Sequence, residues 1–278
     1  MKNKYNPYEP QGITYFLELA GAWLLAVIWA LPLVYAIWTA FHPMAYSTNF
    51  SLSAPITLEN FKLAWQAAPF AQYFVNTLLL VTLVITSQLI FCTLAAFALV
   101  RFEFRGKEIF FWIILIQLMI MPDVLIVENY KTISSMGLLD TTLAIAFPYL
   151  ATGFGIFLLR QAFKIVPKEL DDAAAIEGAN IFQILWYVYV PLAKPTYIAY
   201  ALVSMSYQWN NFLWPLIVTN SVSSRTLTVG LQIFSSIEQG VNWSIIAAAV
   251  LITTTPLLLA LLLFQKQFMQ SFMRAGIK

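Results

Sequence analysis

The stretch Phe74 to Val100 reads FVNTLLLVTLVITSQLIFCTLAAFALV and contains no charged residue. About 20 consecutive apolar residues in a helix, at about 1.5 Å rise each, cross the hydrocarbon core of a bilayer. The run exceeds that length. It has no strict two-residue alternation of polar and apolar positions, which disfavours a membrane-spanning β-strand. Five further stretches share its character: Leu17 to Phe41, Ile109 to Val127, Thr141 to Phe163, Thr196 to Val218 and Trp243 to Phe264. The first is about twice the length of a signal-peptide core and has no small-residue cleavage pattern behind it, so it reads as a retained span. The expected fold is all-α and polytopic, with six transmembrane helices in a domain over 17–264 and short tails at 1–16 and 265–278.

Composition agrees. In 278 residues, 60% are apolar and 10% charged, and the mean hydropathy is +0.76, outside the range of soluble domains. Fifteen Lys and Arg against thirteen Asp and Glu give a net charge of +2, and no basic run suggests nucleic acid. The single cysteine, Cys92, cannot form an internal disulfide, and the single histidine, His42, cannot supply a multi-ligand zinc site.

The basic residues set direction. Lys2, Lys4, Arg101, Arg105, Lys107, Arg160, Lys164, Lys168, Lys194, Lys266, Arg274 and Lys278 fall in the termini and in the second and fourth connections. Only Lys62, Lys131 and Arg225 remain for the opposite face. The positive-inside rule therefore places both termini and these two connections in the cytoplasm. Six spans with both ends inside are self-consistent. Trp65, Tyr73, Tyr149, Trp209, Trp214 and Trp243 lie near span ends, where interfacial aromatic belts form.

Ion-coupled carriers mark their pathway with ionisable groups deep in the membrane. These spans hold almost none: Glu18 is at the inner end of the first, and Asp123 and Glu128 are near the outer end of the third. No nucleotide-binding Gly-x-x-x-x-Gly-Lys-Ser/Thr occurs, since Gly106-Lys107 has Arg101 in place of the first glycine. Active transport would need a separate ATPase. Gly-x-Ser-x-Gly and His-Glu-x-x-His are also absent, as are paired deep carboxylates, so an intramembrane enzyme finds no support.

The fourth connection, Lys164 to Pro195, reads KIVPKELDDAAAIEGANIFQILWYVYVPLAKP. Pro167 suits a helix start, and Glu169, Asp171 and Asp172 follow as first-turn carboxylates favoured by the helix dipole. Ala173, Ala174 and Ala175 leave one side without bulk, Gly178 suits the left-handed residue that ends a helix, and Asn180 suits the cap of the next. A second helix is expected from Ile181 to Val190, closed by Pro191, with Phe182, Leu185 and Tyr189 packed under the bundle. Such a helix pair fits either a docking element or an amphipathic connector.

At these residues the chain resembles the membrane subunits of binding-protein-dependent ATP-binding-cassette importers. Their EAA loop is matched by Asp172-Ala173-Ala174, Gly178-Ala179, Pro191 and Pro195. Gly137 to Thr141, Phe157 to Gln161, Pro167 to Leu170, Trp209 to Leu216, Thr226 to Leu231 and Phe268 to Lys278 resemble the carbohydrate-uptake, MalG/UgpE-like branch of that family. The resemblance implies a non-catalytic permease subunit of the bacterial or archaeal inner membrane, with the type I importer fold. It implies a second, homologous permease, two cytoplasmic ATPase subunits that bind ATP and Mg, an extracytoplasmic solute-binding protein, and no cofactor in this chain itself. Coupling to the ATPase then falls to Asp172, Ala173, Ala174, Glu177, Gly178, Ala179 and Pro191. Asp replaces the usual Glu at 172 and Glu the usual Asp at 177, which keeps charge and shifts reach by one methylene. A passive or ion-coupled carrier, and a scaffold or intramembrane enzyme, are the alternatives; the EAA segment argues against both.

Solutes rich in hydroxyl groups are held by aromatic faces and by amide and hydroxyl partners. Asn76, Gln88, Gln117, Asn129, Tyr130, Trp209, Asn210, Asn211 and Trp214 are the candidates for the substrate pathway, although helix–helix hydrogen bonding or interfacial anchoring is the commoner role of such residues. Near Asn129 the family more often has a proline before its tyrosine, so the cavity is expected to be shaped differently there. No basic residue lies in mid-span, which favours a neutral sugar or glycoside over a phosphorylated solute.

Overall fold

Each of the six apolar runs forms helix, in a computed structural model that describes residues 13–47, 49–51, 53–235 and 241–276. No strand occurs among the described residues. Lys2, Lys4 and Lys278, on which part of the orientation argument rests, lie outside them.

The chain divides into two units, residues 1–67 with 234–252, and residues 68–233 with 253–278. In the first, α1 (Ile13–Ala40) is a long apolar helix that carries Pro32. Most of its side chains are exposed. Its end is tied to α2 (Glu59–Ala67) by Asn60, whose amide donates to the carbonyls of Ala40 and His42, both at 2.9 Å. These are the last carbonyls of a helix and the turn after it, which have no partner within the helix. The His42 ring stacks on Trp38 at 4.3 Å between centroids.

The second unit is organised on α3 (Phe70–Arg101), which packs along α7 (Gly153–Lys164) and α11 (Lys194–Asn210). Between them run α4 (Lys107–Gln117), α5 (Ile126–Ser135) and α6 (Thr142–Ala146), and then α8 (Lys168–Ile176), α9 (Ile181–Ile184) and α10 (Val190–Leu192). After α11 come α12 (Leu213–Val218) and α13 (Leu227–Gly230), and then α14 (Trp243–Gly276), whose residues 243–252 belong to the first unit. One apolar core gathers Cys92, Ala96, Phe97, Leu159, Phe163 and Tyr189, and another Leu80, Val84, Ile145 and Val218.

The spans are less regular than the runs that encode them. The segments Tyr15–Ala40, Phe70–Arg101 and Trp243–Gln265 are long and apolar enough to cross a membrane unaided. The third run is instead bent by 89° between Lys107–Gln117 and Pro122–Ser135, and the fourth by 49° between Thr142–Tyr149 and Gly153–Lys164. Proline supplies a reason in each, because Pro122 and Pro148 donate no backbone hydrogen bond and lie in the first two positions of short 3-10 turns. The fifth run is a 17-residue helix that stops at Asn210 before α12 begins at Leu213. Arg160, counted above with the fourth connection, lies inside α7 and is 2% exposed. Its guanidinium sits 3.7 Å from the Phe111 ring centroid and donates to Glu108 at 2.9 Å, which joins α7 to α4.

Candidate functional site

A cavity of about 420 Å³ opens in the second unit, bordered by α3, α5, α11, the bend that follows α4 and the bend that precedes α7. Its polar lining is Gln88, Gln117, Asn129, Thr152, Ser204 and Gln208 with Tyr149, Tyr200 and Tyr207. None of its lining residues is charged.

Gln88, in the middle of α3, organises this lining. Its side-chain oxygen accepts the hydroxyls of Ser204 at 2.6 Å and Tyr200 at 3.0 Å, and its amide donates to the Tyr149 carbonyl at 2.7 Å. The Tyr200 oxygen also lies 2.7 Å from the Thr152 hydroxyl. The same Thr152 caps α7 by accepting the Gly155 N–H at 3.0 Å, while Gln117 accepts the Gly153 N–H at 2.8 Å. The first turn of α7 has unpaired donors by construction, and two cavity residues satisfy them. Gln208 differs: it is 2% exposed, and its side-chain oxygen has no hydrogen-bond partner among the described residues.

Three of the substrate-pathway candidates, Gln88, Gln117 and Asn129, thus meet in one cavity, and the other six lie elsewhere. Asn76 donates to the carbonyls of Ser223 at 2.7 Å and Arg225 at 2.9 Å. The Trp209 indole donates to Thr253 at 2.9 Å and that of Trp214 to Ala144 and Ile145 at 3.2 Å each, and both rings are buried rather than set at an interface. Asn210 donates to the Ser206 carbonyl, the Asn211 carbonyl accepts the Thr228 hydroxyl, and Tyr130 is partly exposed. Tyr200, Ser204, Tyr207 and Gln208 were not among the candidates, yet they follow a single helical face at 200, 204, 207 and 208.

The helix pair of the fourth connection forms the second site. Helix α8 starts after Pro167, whose backbone is extended, and ends in a Schellman motif: Gly178 N–H meets the Ala175 carbonyl and Ala179 N–H the Ala174 carbonyl, both at 3.0 Å. Gly178 has φ +83° and open space where a Cβ would stand, so backbone conformation alone requires glycine. Asn180 and Gln183 then form a full capping box for α9. The second helix is not continuous α-helix, because Leu185–Tyr189 form a π-helical segment with Pro191 just after it in α10. Leu185 and Tyr189 are buried as expected, whereas Phe182 points outward and is 70% exposed.

The two adjacent aspartates of α8 have opposite surroundings. Asp172 is exposed with Ala173, Ala175, Ile176, Glu177 and Gly178, while Ala174 and Ala179 are partly buried. Asp171 is 1% exposed; one of its oxygens lies 3.0 Å from Arg101 Nε and accepts the Tyr189 hydroxyl at 2.8 Å. The Arg101 Nε–H is out of line for a hydrogen bond, so the contact is an ion pair, and Asp171 Oδ1 has no hydrogen-bond partner among the described residues. Burial, reinforced by Asp171, pushes the Tyr189 phenol above its ordinary range. In the sequence alone Arg101 marks orientation and Asp171 is one of three first-turn carboxylates, and neither signals this pairing.

Comparison with known proteins places both sites in context. The sn-glycerol-3-phosphate transport system permease protein UgpE of Yersinia pestis bv. Antiqua (strain Antiqua) is 28% identical over 261 residues, 89% of this chain and 93% of the relative. The arabinooligosaccharides transport system permease protein AraQ of Halalkalibacterium halodurans is 29% identical over 284 residues, 100% of both chains. The crystal structure of a bacterial ABC transporter involved in the import of the acidic polysaccharide alginate contains a similar chain, with TM-score 0.82 and 22% identity over 95% of this chain and 100% of that one, a likeness of fold. The model of the family described as binding-protein-dependent transport system inner membrane component matches residues 88–274, which take in the cavity-lining part of α3 and the whole helix pair. The chain belongs to this family, and is a non-catalytic, multi-pass permease subunit of the inner membrane.

Proposed function

We propose that this chain forms half of the translocation pathway of an ATP-driven importer and couples to its ATPase through α8. A second, homologous permease completes the pathway, two ATPase subunits bind ATP and Mg, and an extracytoplasmic solute-binding protein delivers the cargo. Both termini and the helix pair face the cytoplasm. The observation that carries the reading is the division of labour within α8: Asp171 is anchored inward while Asp172, Ala173 and Ile176 stand exposed one helical step away. A carboxylate beside small side chains suits close approach to a basic groove. Closure of the ATPase pair on ATP moves α8, and the permease passes from inward-facing to outward-facing; hydrolysis resets it.

The cargo is a sugar, glycoside, polyol or related neutral solute. The uncharged cavity supports this, since a phosphorylated cargo like that named for the Yersinia relative would call for cationic partners.

The test is purification of the tagged chain from its native membrane in mild detergent. The expected companions are an ATPase with a nucleotide-binding P-loop and a second permease, and Asp172→Lys is expected to release the ATPase alone. Gly178→Val is expected to abolish uptake while membrane insertion continues, because a β-branched residue at that φ is strained. A chain that purifies alone, or normal uptake with Gly178→Val, overturns the reading.

A further inference from the structure

We propose that the Arg101–Asp171 pair is the joint through which movement of α8 enters the membrane helices, which makes Arg101 a positioning residue for the cavity. The inference rests on the docking of α8 proposed above and names how its motion reaches the solute.

The geometry is continuous. Arg101 is the last residue of α3, and α3 runs without internal proline back to Gln88, the hub of the cavity lining. Thirteen residues of helix separate them, about 20 Å at 1.5 Å per residue. A second branch leaves the same carboxylate: Tyr189, which donates to Asp171, packs edge-on against Phe97 of α3 at 5.1 Å and Phe163 of α7 at 5.3 Å between centroids. Helix α7 begins at the Thr152 cap that binds Tyr200. One buried carboxylate on α8 therefore engages both α3 and α7, and both border the cavity.

The chemistry of the pair argues against simple attachment. Burying the Asp171 carboxylate, at 1% exposure, beside an Arg101 side chain that keeps 32% costs desolvation that well-packed apolar side chains avoid. Here that cost is not fully offset, since Asp171 Oδ1 lacks a partner and the Arg101 Nε–H is misaligned. A pair of this kind fixes orientation more than it adds stability, and an α8 that must drive α3 needs a fixed orientation.

The test uses the complete importer complex carrying Ala151→Cys as a reporter, since Ala151 lines the cavity and the native Cys92 is buried. Labelling by N-ethylmaleimide is measured without nucleotide and after trapping with ATP and vanadate. In the parent complex the two rates are expected to differ by about five-fold or more. Arg101→Gln is expected to remove that difference while the ATPase subunits still co-purify and hydrolyse ATP; Arg101→Lys retains part of it, and the exchanged pair Arg101→Asp with Asp171→Arg restores it. Retention of the difference in Arg101→Gln overturns the proposal, as does failure of the exchanged pair to restore any of it or the absence of state dependence in the parent. If Arg101→Gln does not assemble, the exchanged pair decides alone. Absence of the ATPase from the parent complex is a different result and counts against the docking reading.

Discussion

The hydroxyl of Tyr200 occupies the space that a Cβ on Gly155 would need, and the Tyr200 ring carbon and Cys92 Sγ crowd the same point. Helices α7 and α11 therefore approach each other at a glycine, and the hydroxyl that this admits is the one that binds Gln88 and Thr152. Gly155→Ala is expected to displace Tyr200 and cost about 1–3 kcal/mol through overpacking. Thermal unfolding of the purified complex checks this: an unchanged midpoint would show that the contact is slack.

Gln88 and Gln208, two of the three glutamines of the cavity, should behave oppositely. Gln88→Leu strands the Ser204 hydroxyl and the Tyr149 carbonyl and leaves the Tyr200 hydroxyl with Thr152, at about 1–3 kcal/mol for an unsatisfied buried group. Gln208→Leu removes a buried oxygen that already lacks a protein partner, so stability should stay level or rise. On the cargo reading proposed above, uptake by the Gln208→Leu variant should show a raised KM for the native cargo, because Gln208 forms part of the cavity wall. A fall in the unfolding midpoint with unchanged KM would assign Gln208 to the core instead.

Asp140 supplies a pH test. It adopts φ +63°, and its carboxylate accepts the N–H groups of Asn220 at 2.8 Å and Ser221 at 2.9 Å and the Ser224 hydroxyl. The Ser224 hydroxyl, followed by the backbone donors, holds this carboxyl well below the usual range. A carboxyl depressed in the folded state stabilises fully above its unfolded pKa of about 4 and loses that contribution as pH falls below it. Asn tolerates the left-handed backbone and keeps one acceptor, so Asp140→Asn should be less stable than the parent at neutral pH and approach it as pH falls below about 4. Unfolding midpoints across that range read the effect, and a constant gap would refute the assignment.

Much of this architecture is legible in the residues. The runs are apolar over lengths that only membrane helices need, and the Gly178 turn with its Asn180 cap is local chemistry that a few neighbouring residues specify. The bends were less accessible. Pro122 and Pro148 were visible, but the angle depends on distant groups such as Gln117, which caps the broken end of α7. Asp171 and Asp172 are the clearest case. Adjacent residues on a helix point about 100° apart, and the partners that mark Asp171 as the buried one, Arg101 seventy residues earlier and Tyr189 eighteen later, are distant in the numbering. In the cavity, isolated amides within apolar runs drew attention to Gln88, Gln117 and Asn129, whereas the polar face of α11 was masked by the aromatic character of its tyrosines.

The π-helical turn at Leu185–Tyr189 bears on how this segment can vary. A π turn holds one residue more than the α-helical path would, and here that surplus lies just ahead of Pro191 and delivers Tyr189 to Asp171. Deleting a single residue from the turn would let it relax to α-helix and swing the tyrosine by about 100° away from the carboxylate. Side chains on its outer face, such as Trp186 and Tyr187, are free to change because they are exposed. The number of residues is not: the segment should accept substitutions on that outer face, hold Leu185 and Tyr189 on its buried one, and take insertions or deletions hardly at all, with chain length inherited alongside those two side chains.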